Sequence, residues 1–480
     1  MLDTNRTYNG RGRYTDYQGN TRFYENETDN YQQDHYQLQI SQKLSDKLNG
    51  NFALHYTRGA GYYEQYKDNV KLSKYLIDPV LIPGTDSVLI KRSDIIRRKH
   101  LDNHFYGFTW SLNYNHKKLM LLAGGSGNLY EGLHFGNVIW AEFAQTAGYD
   151  HRWYENSGEK RDLNVFAKAQ YQATQKLNLY ADLQVRGINY RLNGIDDDLR
   201  DITQTHDFLF FNPKAGAYYQ LNSYNSLYLS FAIANRDPNR SNYTDADPNK
   251  PIPQAETLYD YELGYHYDHK NISASINAYY MYYRDQLVLT GAINDVGKGI
   301  MTNVPESYRT GIEFSGKARL LPSLSTSAHF TLSRNEIINF TEFVDNWDQW
   351  ATQIENPIGN THLAFSPAVT AGAEISYVIT KGLEASLNGK YVSRQYIDNT
   401  ASEDRSLDPY FVSNFRLSWL LEPEFLGGVE FTLNVNNLFN AKYETNAWVY
   451  RYYSDGNYSK EDGYFPQAGI NFMTGLTIRL

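Results

Sequence analysis

The sequence predicts an all-β fold, an antiparallel transmembrane β-barrel with about 17 strands present, on the strength of two observations. Apolar and polar side chains alternate along runs of about ten or more residues. The runs are joined by short turns at one end and by long polar insertions at the other. A soluble sandwich also alternates, but its strands usually have about five or six residues and bury their apolar face against a second sheet. Runs of about ten residues have the length of a tilted bilayer crossing instead.

The short turns punctuate the chain in order. They fall at Leu44 to Gly50, Tyr114 to Leu119, Ala173 to Asn178, Leu221 to Ser226, Tyr267 to Asn271, Leu320 to Ser323, Thr380 to Gly382 and Glu422 to Gly428. Gly, Pro, Asn, Asp and Ser recur there because they accept turn dihedrals or mimic turn hydrogen bonds. Between turns the period is two. Leu383, Ala385, Leu387 and Tyr391 oppose Glu384, Ser386, Asn388 and Lys390, and Val429, Phe431, Leu433 and Val435 oppose Glu430, Thr432, Asn434 and Asn436. Leu177, Leu179, Ala181, Leu183 and Val185 oppose Asn178, Tyr180, Asp182, Gln184 and Arg186, and the last strand lines up Ile470, Phe472, Leu476, Ile478 and Leu480. The opposing faces carry charge, so they are wet.

Eight hairpins and a final strand make the count of about 17, whereas single-chain bacterial barrels have even numbers. Both the first strand, near Asp34, and the last then run toward the short-turn end. A 22-strand barrel, the size of the plugged transporters, would lack five strands at its start. The N-terminus, MLDTNRTYNGRGRYTDYQGN, has no basic stretch, apolar core and small-residue cleavage site, hence no signal peptide. The expected organisation is one barrel domain over residues 1–480, incomplete at its N-terminus.

Composition bounds the function. No apolar stretch reaches the length of a membrane-spanning helix, and mean hydropathy is -0.61. Tyrosine dominates the aromatics, with 43 residues against 23 Phe and 7 Trp, favouring rings with one wet end at a membrane interface or a polar ligand surface. Without cysteine there is no disulfide framework, thiolate metal site or thiol nucleophile. Net charge is -9 and the Lys and Arg residues are scattered, which argues against a nucleic-acid partner.

Several segments resemble landmarks of TonB-dependent outer-membrane receptors, particularly those of Bacteroidetes-like bacteria. They are FNPKAGAYYQLN (Phe211 to Asn222), LYLSFAIANRDPNRSN (Leu227 to Asn242), AETLYDYELGY (Ala255 to Tyr265), SYRTGIEF (Ser307 to Phe314), NVNNLFNAKY (Asn434 to Tyr443) and YFPQAGINFMTGLTIRL (Tyr464 to Leu480). Their order and spacing cover nearly the whole chain. The same residues also have structural readings: Asn436, Asn437 and Asn440 close a turn, Pro213 marks a strand start, and Glu256 and Glu262 form hydrogen bonds inside the barrel. Two features depart from the family pattern. The chain ends in Leu480 rather than an aromatic residue, which bears on recognition by the barrel assembly machinery. The plug domain and the short segment that contacts TonB are not encoded in it.

The resemblance implies an outer-membrane location in a Gram-negative cell and lipid around the barrel. It also implies uptake of a bulky nutrient, such as an iron-siderophore complex, driven by an inner-membrane TonB complex acting through a plug. Binding residues tend to sit in loops on a rigid scaffold. Loop candidates for a small-molecule or metal-chelate ligand are Trp347 and Trp350, then Trp448, Tyr450, Arg451, Tyr452 and Tyr453, then Tyr62, Tyr63 and Tyr66. Tyr and Trp offer large rigid contact area, and Arg clamps a pair of oxygens. The plain alternative for each ring is a girdle or loop packing.

The acidic runs GIDDDLRD (Gly194 to Asp201) and TDADPN (Thr244 to Asn249) offer calcium ligands without the spacing of an EF-hand, so solvated loops are expected. The 12 histidines are dispersed, and no metal or cofactor is expected. No nucleophile elbow, dinucleotide fingerprint or phosphate loop is present, so no catalytic residue is named. An outer-membrane lipase or protease would need a Ser-His or Asp-His pair. Competing with uptake are a passive pore, a non-functional truncated remnant, and a soluble β-rich adhesin or propeller whose apolar faces are covered by protein.

Overall fold

Each alternating run forms a strand, and each of the eight short turns joins two strands in antiparallel pairing. The computed structural model describes all residues except 1, 3, 83–87, 145–149, 248–249, 295–296, 350–351, 426 and 480. Leu480, read as the end of the last strand, lies outside the described residues.

The main strands, in chain order, are β1 (Asp29–Lys43), β2 (Leu48–Lys71), β3 (Arg92–His116), β4 (Leu119–Ala141), β5 (His151–Gln172), β6 (Leu177–Gly194), β7 (Gln204–Asn222), β8 (Asn225–Arg236), β9 (Glu256–His269) and β10 (Ile272–Ile293). They continue with β11 (Gly299–Leu321), β12 (Leu324–Asn346), β13 (Thr352–His362), β14 (Val369–Thr380), β15 (Leu383–Val392), β16 (Tyr410–Leu421), β17 (Gly428–Asn436), β18 (Glu444–Ser454), β19 (Asn457–Pro466) and β20 (Asn471–Arg479).

Among the described residues these twenty strands exceed the seventeen expected, and the difference has a local cause. Three crossings are each broken into two strands. β13 pairs with the distal part of β12 and β14 with its proximal part, while β17 pairs with β20 and β18 with β19. The first crossing begins at Asp29, earlier than Asp34. Pro213 does not start a strand: it lies inside β7, one residue before the register with β8 begins at Lys214. Proline offers no N–H to a ladder, so it sits where pairing is incomplete.

The chain divides into two compact units. The smaller comprises 7–170 and 182–212, with β1 to β4 in antiparallel order. Register stacks Leu38, Leu54 and Phe108 in one row and Ile40, Phe52 and Trp110 in the next, below a tyrosine row of Tyr36, Tyr56 and Tyr106. The insertion after β2 folds onto the strand ends around Leu72, Tyr75, Ile77, Ile95, Val138 and Trp153, all buried.

The larger unit comprises 1–6, 171–181 and 213–480. Here Leu229, Leu263, Ala278, Ile312, Leu332 and Val369 form one transverse row across β8 to β14. The opposite face carries Glu262, Asn277, Glu313 and Thr331. Leu229, Leu263, Ile312 and Leu332 keep 51 to 58% of their surface exposed, so no layer of the described residues covers them. On β12 the apolar run from Leu324 to Leu332 rises ~26 Å along the strand, comparable to the depth of a hydrocarbon core.

Asn437 and Asn440 adopt left-handed φ of 50° and 52°. The Asn437 amide donates to Ala441 O at 2.8 Å and Ala468 O at 3.1 Å, closing the turn after β17. Glu256 accepts from Leu287 N and from Arg236, both at 2.9 Å, while Glu262 accepts from Ser230 Oγ at 3.4 Å.

Candidate functional site

Two hairpins of the larger unit rise beyond the apolar belt, β12 with β13 and β18 with β19. The ladder of β12 is interrupted between Ile337 and Thr341, where Asn339 takes a φ of +53°. Beyond it, Glu342 and Val344 are buried while Phe343 and Trp347 are exposed. Along β18 the same two-residue period puts Trp448, Tyr450 and Tyr452 on one face and Val449, Arg451 and Tyr453 on the other.

The hairpin tips are joined by backbone, ring and carboxylate. Asp345 and Asn346 bridge Tyr452 and Tyr453 in parallel, and Trp347 N donates to Tyr453 O at 2.9 Å. The Trp347 ring stacks on Tyr452 with centroids 3.9 Å apart. Its Nε1 donates to the Tyr450 hydroxyl at 3.1 Å, which donates to Asp345 Oδ2 at 2.8 Å. Asp348 accepts the backbone N–H groups of Asp455 and Gly456 at 2.6 and 2.8 Å. This carboxylate satisfies a turn whose Asp455 and Gly456 have φ of 53° and 69°.

Beneath this aromatic face lies an ionic layer. Arg405 Nη1 donates to Glu342 Oε1 at 3.0 Å and lies 3.2 Å from Asp398 Oδ2. Arg451 Nη1 reaches the same two carboxylates at 2.5 and 3.5 Å. Glu342, Asp398 and Arg405 are 4, 1 and 8% exposed. Two carboxylates against two guanidinium groups balance in charge, which is what burial demands. Asp398 and Arg405 come from the segment between β15 and β16, anchored by Ile397 and Leu407 against Ala447 and Val449 of β18. Asn399 Nδ2 also donates to Leu289 O at 2.6 Å.

On the neighbouring insertion, the Lys250 ammonium sits 3.7 Å from the centroid of the Phe343 ring. Burial pushes its pKa below the ordinary lysine value, with Asp247 and Asp345 pulling the other way.

The structure therefore gathers Trp347, Tyr450 and Tyr452 into one surface. Trp448 shares their face, its indole packed over Gly463. Arg451 and Tyr453 lie on the other face: Arg451 is occupied by the ionic layer, and Tyr453 packs edge-on to Tyr458 with centroids 5.5 Å apart. Trp350 lies outside the described residues.

Tyr62, Tyr63 and Tyr66 belong to the smaller unit and are held there by their own contacts. The Arg98 guanidinium lies 4.5 Å from the Tyr62 ring, the Lys99 ammonium 6.0 Å from Tyr63, and the Tyr66 hydroxyl donates to Asp94 at 2.5 Å. The acidic run in that unit is also engaged. Asp196 accepts from Asn156 at 3.1 Å and Asp201 from Thr203 N at 2.9 Å, while Asp197 pairs with Lys99 and Asp198 with Arg200.

The residues that sequence reasoning missed are Glu342, Asp345, Asp348, Asp398 and Arg405. No local pattern marks them, because Glu342 meets Arg405 across 63 positions and Arg451 across 109.

A family model described as "TonB dependent receptor-like, beta-barrel" matches residues 2–438. The chain is 24% identical over 200 residues to the pesticin receptor of Yersinia enterocolitica, covering 41% of this chain and 26% of that protein. Its fold is similar to the ferric-catecholate import receptor Fiu of E. coli K12, with a TM-score of 0.64 and 13% identity over 95% of this chain and 66% of that one. It is also similar to the siderophore receptor PiuA of Acinetobacter baumannii, with a TM-score of 0.66 and 14% identity over 94% of this chain and 65% of that one. The chain thus spans just under two thirds of these solved receptors and about a quarter of the pesticin receptor.

Proposed function

Because the chain belongs to the TonB-dependent receptor-like β-barrel family, a family of outer-membrane transport receptors and not of enzymes, we propose that it forms the barrel of an uptake receptor for a bulky nutrient such as an iron-siderophore complex. The observation that carries this reading is the aromatic face of Trp347, Tyr450 and Tyr452, held by two hairpin tips over a charge-balanced layer. Rings fixed in this way present stacking area to a ligand without having to be ordered on binding, which lowers the entropy cost of capture. Trp347 is 52% exposed, so it has surface left to give.

In this reading Arg451 acts as a positioning residue, since its guanidinium is already shared between Glu342 and Asp398. Energised release belongs to the whole receptor, through a plug pulled by an inner-membrane TonB partner. Insertion would depend on the barrel assembly machinery.

The test is titration of the folded protein in detergent with ferric catecholate, ferric trihydroxamate and ferric citrate chelates, following tryptophan fluorescence. One chelate class should bind and quench. Trp347→Ala should weaken that binding by about 2 kcal/mol, roughly 30-fold, the scale of an aromatic anchor. Unchanged affinity in the variant, or binding by none of the three, would overturn the reading. A large ungated conductance in planar bilayers would favour a passive pore.

A further inference from the structure

The apolar belt of the larger unit is not evenly filled. Between Tyr261, Tyr280 and Leu332 lies an open recess of about 610 Å³ on the hydrocarbon-facing side, floored by Ala278 and Thr310. Small side chains at these two register-matched positions leave the gap, since Ala278 stands between Leu263 and Ile312 and Thr310 between Tyr280 and Arg334.

Its upper rim carries an arginine held in a fixed pose. Arg334 Nε donates to Glu336 Oε1 at 2.8 Å, and the other oxygen of that carboxylate accepts the Tyr308 hydroxyl at 2.6 Å. Glu336 is 6% exposed and so is screened from the surroundings, whereas the Arg334 side chain is 66% exposed. Among the described residues, the two Nη groups of Arg334 have no hydrogen-bond partner. A guanidinium anchored through Nε presents its remaining donors as a fork, the geometry that matches two oxygens of a phosphate.

We propose that this recess binds a membrane lipid, one acyl chain lying over Ala278 and Thr310 and an anionic phosphate headgroup held by Arg334. The position selects the occupant. The recess opens to hydrocarbon, so what fills it must have an apolar body, and Arg334 stands two residues beyond Leu332, where the apolar row ends and headgroups begin. Tyr280 and Tyr308, with ring centroids 6.1 Å apart, mark the same level as amphipathic interface rings.

The experiment is native mass spectrometry of the full chain, folded by the criterion of heat-modifiable gel migration, after release from nanodiscs of equal phosphatidylglycerol and phosphatidylcholine. One phosphatidylglycerol should be retained at least about tenfold over phosphatidylcholine. Arg334→Gln should abolish that preference while leaving acyl-chain retention, and Ala278→Phe, which fills the recess, should abolish retention. Leu332→Trp provides a second filling variant should Ala278→Phe not fold. Equal retention of the two lipids, or an unchanged preference in Arg334→Gln, overturns the proposal. So does displacement by millimolar inorganic phosphate with no lipid retained, which would make the site one for free phosphate.

Discussion

Leu263→Arg should cost about 1 to 2 kcal/mol of folding free energy in a bilayer, between the midplane and interface values for a guanidinium on the lipid side of a barrel, since Leu263 shares its transverse row with Leu332 near the end of the apolar run. Leu263 is 55% exposed and is flanked along its own face by Tyr261 and Tyr265, which places it inside the aromatic margins. Glu262, its neighbour in sequence, points to the polar face. Glu262→Arg should therefore be tolerated where Leu263→Arg is not. Folding yield into vesicles, scored by heat-modifiable migration, separates the two. Equal yields for both variants would mean that the Leu229, Leu263 and Ile312 row does not face lipid.

Removing the shared carboxylate of the ionic layer, in Glu342→Leu, should cost about 3 to 5 kcal/mol locally, because it leaves two buried guanidinium groups against Asp398 alone. The barrel itself should still fold, since the loss falls beyond the belt. What should open is the segment carrying Asp398 and Arg405, so trypsin should cut at Arg405 at least about a hundredfold faster than in the parent protein. Adding Arg405→Met to Glu342→Leu restores charge balance and should recover part of the protection against cleavage elsewhere in that segment. Should Glu342→Leu resist trypsin as the parent does, the layer does not hold the hairpin tips together.

Much of the fold was legible because its signals are local. The period of two in Leu383 to Tyr391 and Val429 to Asn436 needs only neighbouring residues, and a turn such as Thr380 to Gly382 is written in the left-handed φ of Gly382. The seventeen crossings were countable from eight such turns, whereas the breaks within three of them were not. These occur where the chain leaves the ladder at 363–368, 437–443 and 467–470, and Asn437 makes its break through bonds to Asn414 and Ala468. Partners 23 and 31 positions away leave no pattern in a short window.

For the candidate site, residue type was legible and assembly was not. Trp347, Tyr450 and Tyr452 stood out as loop aromatics, yet alternation along β18 assigns Arg451 and Tyr453 to the opposite face. The sequence by itself determined which side chains face hydrocarbon and which face water, because each residue of a strand turns its side chain opposite to the last. Only the tertiary structure decided that Glu342, Asp398, Arg405 and Arg451 share one buried layer beneath the aromatic rings. Four charges drawn from three separate segments meet because burying any of them alone is too costly, and that constraint acts through space rather than along the chain.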